Sequence, residues 1–119
     1  MDKESVDELY EKCAKLVVEH SEKSMNSWVK KYSEVHKNRL LTDFNMLSKH
    51  SKSSSILEIG SAPPILTLML KKSGYEVVGV DIDASRFKGL YDEFEVHVVS
   101  CDIEFSRLKF PFETQFDVI

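Results

Sequence analysis

Cysteine, glycine and proline are scarce in this chain of 119 residues, at two, four and three. The two cysteines, Cys13 and Cys101, show neither paired nor metal-type spacing. That excludes a disulfide scaffold and a zinc knuckle, and we expect a reduced, cytoplasmic setting with no structural metal. So little glycine and proline excludes collagen-like and low-complexity chains. Long apolar runs are missing as well. A stretch such as ILTLML (Ile65–Leu70) falls far short of the roughly 18–20 residues that a membrane helix needs. The opening MDKESVDELYEKC is acidic and amphipathic, without the basic end and apolar centre of a secretory signal. Basic charge is also short: 16 Lys and Arg stand against 20 Asp and Glu, for a net charge of −4. The deficit lies in residues 56–119, with 6 basic against 11 acidic, whereas residues 1–55 carry 10 against 9. An acidic second half argues against a broad phosphate-binding face, although a nucleic-acid substrate approached from elsewhere stays open.

What is present fits one globular domain, with 42% hydrophobic and 30% charged residues. Residues 1–55 read as a helical segment. Val6, Leu9, Tyr10, Cys13, Leu16 and Val17 recur at helical spacing, followed by stripes through Met25, Trp28, Val29 and Tyr32 and through Leu40, Leu41, Phe44 and Leu47. That predicts two or three helices with a break near Ser33–His36, and HSKSSS is a polar connector. From Ile56 the period changes. ILEI is a strand, GSAPP a turn, ILTLMLKK a helix entered by proline, and Gly74 its C-terminal stop. EVVGV is a second strand, SRFKGLYDEF a short helix with Ser85 as N-cap, EVHVVS a third strand, and FDVI opens a fourth. Strands alternating with helices predict an α/β fold, a doubly wound and mostly parallel sheet, over residues 56–119. The chain stops at Ile119 inside this fourth strand, so we expect a sheet truncated there, with an open edge through which the chain could self-associate.

Gly60 follows the first strand and Asp81 ends the second, 21 positions later. This is the spacing of a βαβ nucleotide site, where glycine lets the backbone turn under the ligand and the carboxylate accepts both ribose hydroxyls. A dinucleotide loop nonetheless needs further glycines, and those positions hold Ala62 and Ile65. Pro63 and Pro64 also remove two N–H groups that a diphosphate would use. A ligand without phosphates loses less here.

At this point the sequence resembles the class I S-adenosylmethionine-dependent methyltransferases, over about Ile56–Ile119. Their acidic–x–Gly–x–Gly–x–Gly motif stands here as Glu58-Ile59-Gly60-Ser61-Ala62-Pro63-Pro64, departing at Ala62 and Pro64. GSAP also looks like the G-x-A-P-G loop of some RNA methyltransferases. VVGVDID is similar to their second motif, SCDIEF to the third, and LKFPFETQFDVI to the approach to strand four. The resemblance implies S-adenosyl-L-methionine as cofactor, held by Glu58, Gly60, Ser61, Ala62, Asp81, Ile82, Asp102 and Ile103. Within that set Glu58 would meet the methionine ammonium, Asp81 the ribose, Asp102 the adenine amino group, and Ile82 and Ile103 the ring.

The resemblance implies methyl transfer to an unidentified acceptor, with acceptor-binding and catalytic residues at and beyond the end of strand four. Two rivals stay open: a non-catalytic methyltransferase-like interaction module and an NAD-binding domain. Other residues have plainer readings. Asp83 either lies by the site or caps the next helix. Asp117 is structural, Cys101 a small core residue, and the four histidines form no cluster. Trp28 and Tyr32 are core or a lid over the cofactor, and Lys30, Lys31, Lys37 and Arg39 form a solvated face.

Overall fold

A computed structural model describes residues 5–50 and 54–100, together with Phe116. The first helix, α1 (Val6–His20), begins where the Ser5 side chain accepts the Glu8 N–H at 3.1 Å. Asp7 and Glu8 in its first turn and His20 in its last complement the helix dipole. Its buried stripe is Tyr10, Cys13, Ala14 and Val17, the spacing expected of one apolar face. A 3-10 turn at Lys23–Met25 leads into α2 (Asn26–Val35), and His36 separates this from α3 (Lys37–Leu47). The break thus falls where expected.

The stripe of α2 is phased differently from the sequence reading. It buries Val29 and Ser33, which leaves Trp28 54% exposed and Tyr32 half-buried. Successive helical residues are about 100° apart, so burying Val29 turns Trp28 outward. Trp28 is therefore not core. It stands at the end of a row of rings, 5.8 Å from Tyr32, which lies 4.4 Å from His36.

The second half is a parallel sheet of three described strands in the order β1 (Ser55–Ile59), β2 (Glu76–Asp81) and β3 (His97–Ser100). Helix α4 (Ile65–Lys72) joins β1 to β2, and α5 (Lys88–Phe94) joins β2 to β3. This is an α/β layout compatible with part of a doubly wound sheet. Gly74, at φ +99°, closes α4 in a conformation that disfavours side chains. A 3-10 turn at Ala84–Phe87 precedes α5, and its cap is Asp83, whose carboxylate accepts the Ser85 N–H at 3.0 Å. Ser85 is thus the partner of a cap and not the cap itself.

Helix α4 is buried along its whole inner length, Ile65 to Leu70, because it packs against β2 on one side and α1 and α3 on the other. A helix apolar all round needs such double cover. One core cluster accordingly runs from Tyr10, Cys13 and Val17 through Leu68 and Met69 to Ile56 and Val77. Polar ties reinforce it. Lys37 Nζ lies 2.8 Å from Glu11, and the Tyr75 hydroxyl donates to the His50 carbonyl at 2.9 Å, linking the helical segment to β2. The expected fourth strand and the loop before it lie outside the described residues, Phe116 apart.

Candidate functional site

The turn after β1 is built from backbone. Gly60, at φ +73°, donates its N–H to the Val80 carbonyl at 2.7 Å, and Ser61 donates to the same oxygen at 3.2 Å. The loop therefore folds back over the end of β2. Asp81 secures it: one carboxylate oxygen accepts the Ala62 N–H at 2.9 Å and the other the Asp83 N–H at 3.5 Å. Each oxygen keeps a lone pair, so a ribose hydroxyl could still be accepted.

Beneath the loop the fit is tight. A Cβ on Gly79 would meet Ser61 Oγ at 2.7 Å and Val98 Cγ2 at 3.2 Å, so β2 needs glycine where Ser61 tucks in. The parallel register sets Gly79 beside both Glu58 and Val98. Ser61 Oγ and the Tyr91 hydroxyl are buried here without a hydrogen-bond partner among the described residues. Burial, reinforced by Asp81 and Glu58, pushes the Tyr91 hydroxyl well above its ordinary range. The nearby Ser61 hydroxyl offsets this slightly, although no bond of ordinary geometry joins the two.

Glu58 is the most perturbed carboxylate. It stands near the end of β1, facing α4, where the Thr67 hydroxyl donates to it. Burial comes first in pushing its carboxyl up to about 7, and the charges of Asp43 and Asp81 add to this, while Thr67 opposes it. No cation pairs with Glu58 among the described residues. Residue exposure alone makes Glu58 half-buried, but its carboxylate end is the enclosed part and governs its ionisation.

Glu58 also lines a cavity of about 670 Å³, ordinary for a small-molecule site. Its floor is Ile56 to Ser61 with Pro63, Leu66 and Leu70, and its wall is α3, with Arg39, Asp43 and Met46, capped by Tyr32 and His50. Of the expected set the cavity brings together Glu58, Gly60 and Ser61. Ala62, Asp81 and Ile82 stand beyond its lining, Ile82 being 67% exposed beside the loop. Asp102 and Ile103 lie outside the described residues, as do Cys101 and Asp117.

The sequence reading missed the wall. Arg39, exposed as expected of a solvated face, and the half-buried Asp43 both line the cavity, while Lys37 is held by Glu11 and Asp7. One signal was available: Asp43 sits inside the apolar stripe Leu40, Phe44 and Leu47. Pro63 and Pro64 carry no N–H, and the Ile65 N–H is already donated to the Pro63 carbonyl at 2.9 Å. The start of α4 thus offers a diphosphate few donors.

Among the described residues, no helix is long and apolar enough to cross a membrane. No three His, Cys, Asp or Glu side chains among them are grouped to hold a metal ion. Comparison with protein-family models, with curated proteins and with solved structures finds no match to this chain.

Proposed function

We propose that this chain is the cofactor-binding part of a class I S-adenosylmethionine-dependent methyltransferase. One observation carries the reading: Glu58, whose carboxylate is enclosed, lines the cavity with acidic neighbours and pairs with no cation among the described residues. An uncompensated charge in such a place is costly, and a cationic ligand relieves it. S-adenosylmethionine brings an ammonium and a sulfonium, and no diphosphate to miss the donors that Pro63 and Pro64 lack. The order Glu58, Gly60, Asp81 along two parallel strands supports the same ligand, as does the run of motifs that continues to Asp102 and Ile103. When bound, the cofactor supplies a methyl group on an already activated carbon. The residues here would then bind and orient. Glu58 holds positive charge, Gly60 and Ser61 let the ligand approach the backbone, and Asp81 accepts ribose hydroxyls while fixing the loop.

Calorimetric titration with S-adenosylhomocysteine, with NAD in a parallel cell, tests the proposal. Binding on the order of micromolar is expected, weakened at least about tenfold by Asp81→Asn, which removes one charge-assisted contact. Tighter binding of NAD, or no binding of S-adenosylhomocysteine by the folded chain, would overturn it.

A further inference from the structure

Basic charge is concentrated in one stretch of this acidic chain. Residues 23–50 carry 6 Lys and Arg against 2 Asp and Glu, whereas the rest carries 10 against 18. Lys23, Lys30, Lys31 and Lys49 are exposed, and none makes a hydrogen bond or ion pair among the described residues. The same stretch carries a row of rings. Trp28, Tyr32 and His36 follow at four-residue steps along α2 and its C-cap, with centroids 5.8 and 4.4 Å apart. The inner side of α2, Val29 and Ser33, is already buried against the protein, and Trp28 is left more than half exposed. Lys31 and Val35, three and seven residues after Trp28, share its side of the helix. The two acidic residues stand elsewhere. Glu34 falls about 120° or more round the helix from both Trp28 and Tyr32, and Asp43 lines the cavity. Arg39 on α3 donates to the Tyr32 hydroxyl at 3.0 Å, which sets a second cation beside the rings.

Unpaired cations interleaved with open rings narrow the class of partner. A polyanion without rings of its own would use the lysines and leave Trp28 in water. A membrane surface would need a broad apolar face, and outward on α2 only Trp28 and Val35 are exposed apolar side chains. A duplex hides the faces of its bases. A single strand offers both phosphates for the cations and free bases for the rings. We propose that the outer side of α2, together with Arg39 of α3, is a docking surface for single-stranded nucleic acid. Bases stack on the Trp28 indole and the exposed part of Tyr32, while Lys31 and Arg39 meet the phosphates between them. Nothing in this surface needs the cofactor. Tyr32 and Arg39 also line the cavity, so a docked strand lies at its rim.

Trp28 is the chain's one tryptophan, so its emission reports on the surface directly. Titration of the full chain with oligouridylate of about 12 nucleotides, at about 50 mM salt, should quench that emission as the strand binds. Anisotropy of the labelled strand then gives the affinity. Trp28→Ala should bind about fivefold to a hundredfold more weakly, the range for one lost base stack, with thermal unfolding unchanged because the indole is exposed. Trp28→Phe keeps a ring and should recover part of the loss. Lys31→Gln should weaken binding and flatten its logarithmic salt dependence by about 0.7, the share of one phosphate contact. Equal affinity of Trp28→Ala and the parent chain would overturn the surface. Inorganic polyphosphate, or a duplex of the same length, binding as tightly as the strand would overturn it too, because charge alone would then suffice. So would phosphatidylserine vesicles shifting the Trp28 emission where the strand leaves it unchanged. Binding of S-adenosylhomocysteine is a separate titration, so either proposal can fail while the other stands.

Discussion

The helical segment and the βαβ unit treat buried polar groups in opposite ways. In the helices such groups are satisfied. The Tyr10 hydroxyl donates to the Ser33 carbonyl at 2.5 Å, and Ser33 Oγ donates to the Lys30 carbonyl at 2.6 Å. In the α/β half Ser61 Oγ and the Tyr91 hydroxyl have no partner among the described residues, and Glu58 has a hydroxyl where a charge partner would serve. An unsatisfied buried polar group costs about 1–3 kcal/mol, so a fold keeps few of them. The polar groups buried in the helices are satisfied by the chain, whereas those around the loop after β1 are not, among the described residues. That contrast, more than any motif, marks the candidate site.

The largest expected effect breaks the contrast at Glu58. Its carboxyl lies at about 7 in the folded chain against an ordinary value of 4.5, so the folded state holds the proton more tightly than the unfolded one. Stability from this group is full below its ordinary value and is lost as pH rises through about 7. Thr67 on α4, Asp43 on α3, Asp81 on β2 and Tyr91 on α5 all face or act on it, and Arg39 and His50 share its cavity. Glu58→Gln keeps an acceptor for Thr67 and removes the charge. Urea unfolding should find the variant about 1–3 kcal/mol more stable than the parent at pH ~8 and nearly equal at pH ~5. An equal difference at both pH values would mean that Glu58 does not titrate in the cavity. Binding of a cationic ligand should strengthen over the same rise in pH, as Glu58 gives up its proton.

A smaller effect sharpens the contrast at two buried tyrosines, Tyr10 on α1 and Tyr91 on α5. Burial first, then Glu11, pushes the Tyr10 hydroxyl up to about 12, so it remains a donor at every ordinary pH. Tyr10→Phe strands the Ser33 carbonyl and should cost about 1–2 kcal/mol in chemical unfolding. Tyr91→Phe removes a hydroxyl that has no partner among the described residues, and should be neutral or stabilising by up to about 1 kcal/mol. Equal costs for the two would show that Tyr91 is satisfied as fully as Tyr10, and the contrast between the halves would fall.

The sequence exposed this unit where local rules decide. Helix α4 runs from Ile65 to Lys72 as its apolar period and flanking Pro64 and Gly74 predict, and Gly60 and Asp81 fall at the two strand ends where nucleotide-site spacing puts them. The errors arise where tertiary packing decides. Trp28 and Val29 are adjacent, and only the pose of α2 against α1 determines which is buried. Asp83 and Ser85 are both good caps, and the choice depends on how the chain leaves β2. The α3 wall, Thr67 and Tyr91 reach the site across contacts between elements remote in sequence, which no window of neighbouring residues records.

The smallest expected effect lies where the two halves are sewn together, at His20 on α1 and Glu93 on α5. His20 Nε2 is 2.5 Å from a Glu93 carboxylate oxygen, and Nδ1 is 2.7 Å from the Leu16 carbonyl. A carbonyl and a carboxylate can only accept, so both ring nitrogens donate and the imidazole is protonated in this arrangement. The bond to Glu93, then that to Leu16, raises the His20 pKa above its ordinary 6.5. Stability from this pair is therefore full below that ordinary value and is lost as pH rises through the folded one. Glu93 is 59% exposed, so the contribution is held under about 1 kcal/mol and is screened by salt. His20→Gln should thus lose a fraction of a kcal/mol at pH ~5.5 and low salt, and nothing measurable at pH ~9. A loss that persisted at pH ~9 would assign His20 a packing role instead, through its edge-on contact with Phe94 at 5.8 Å. The seam would then be held by apolar packing and not by charge.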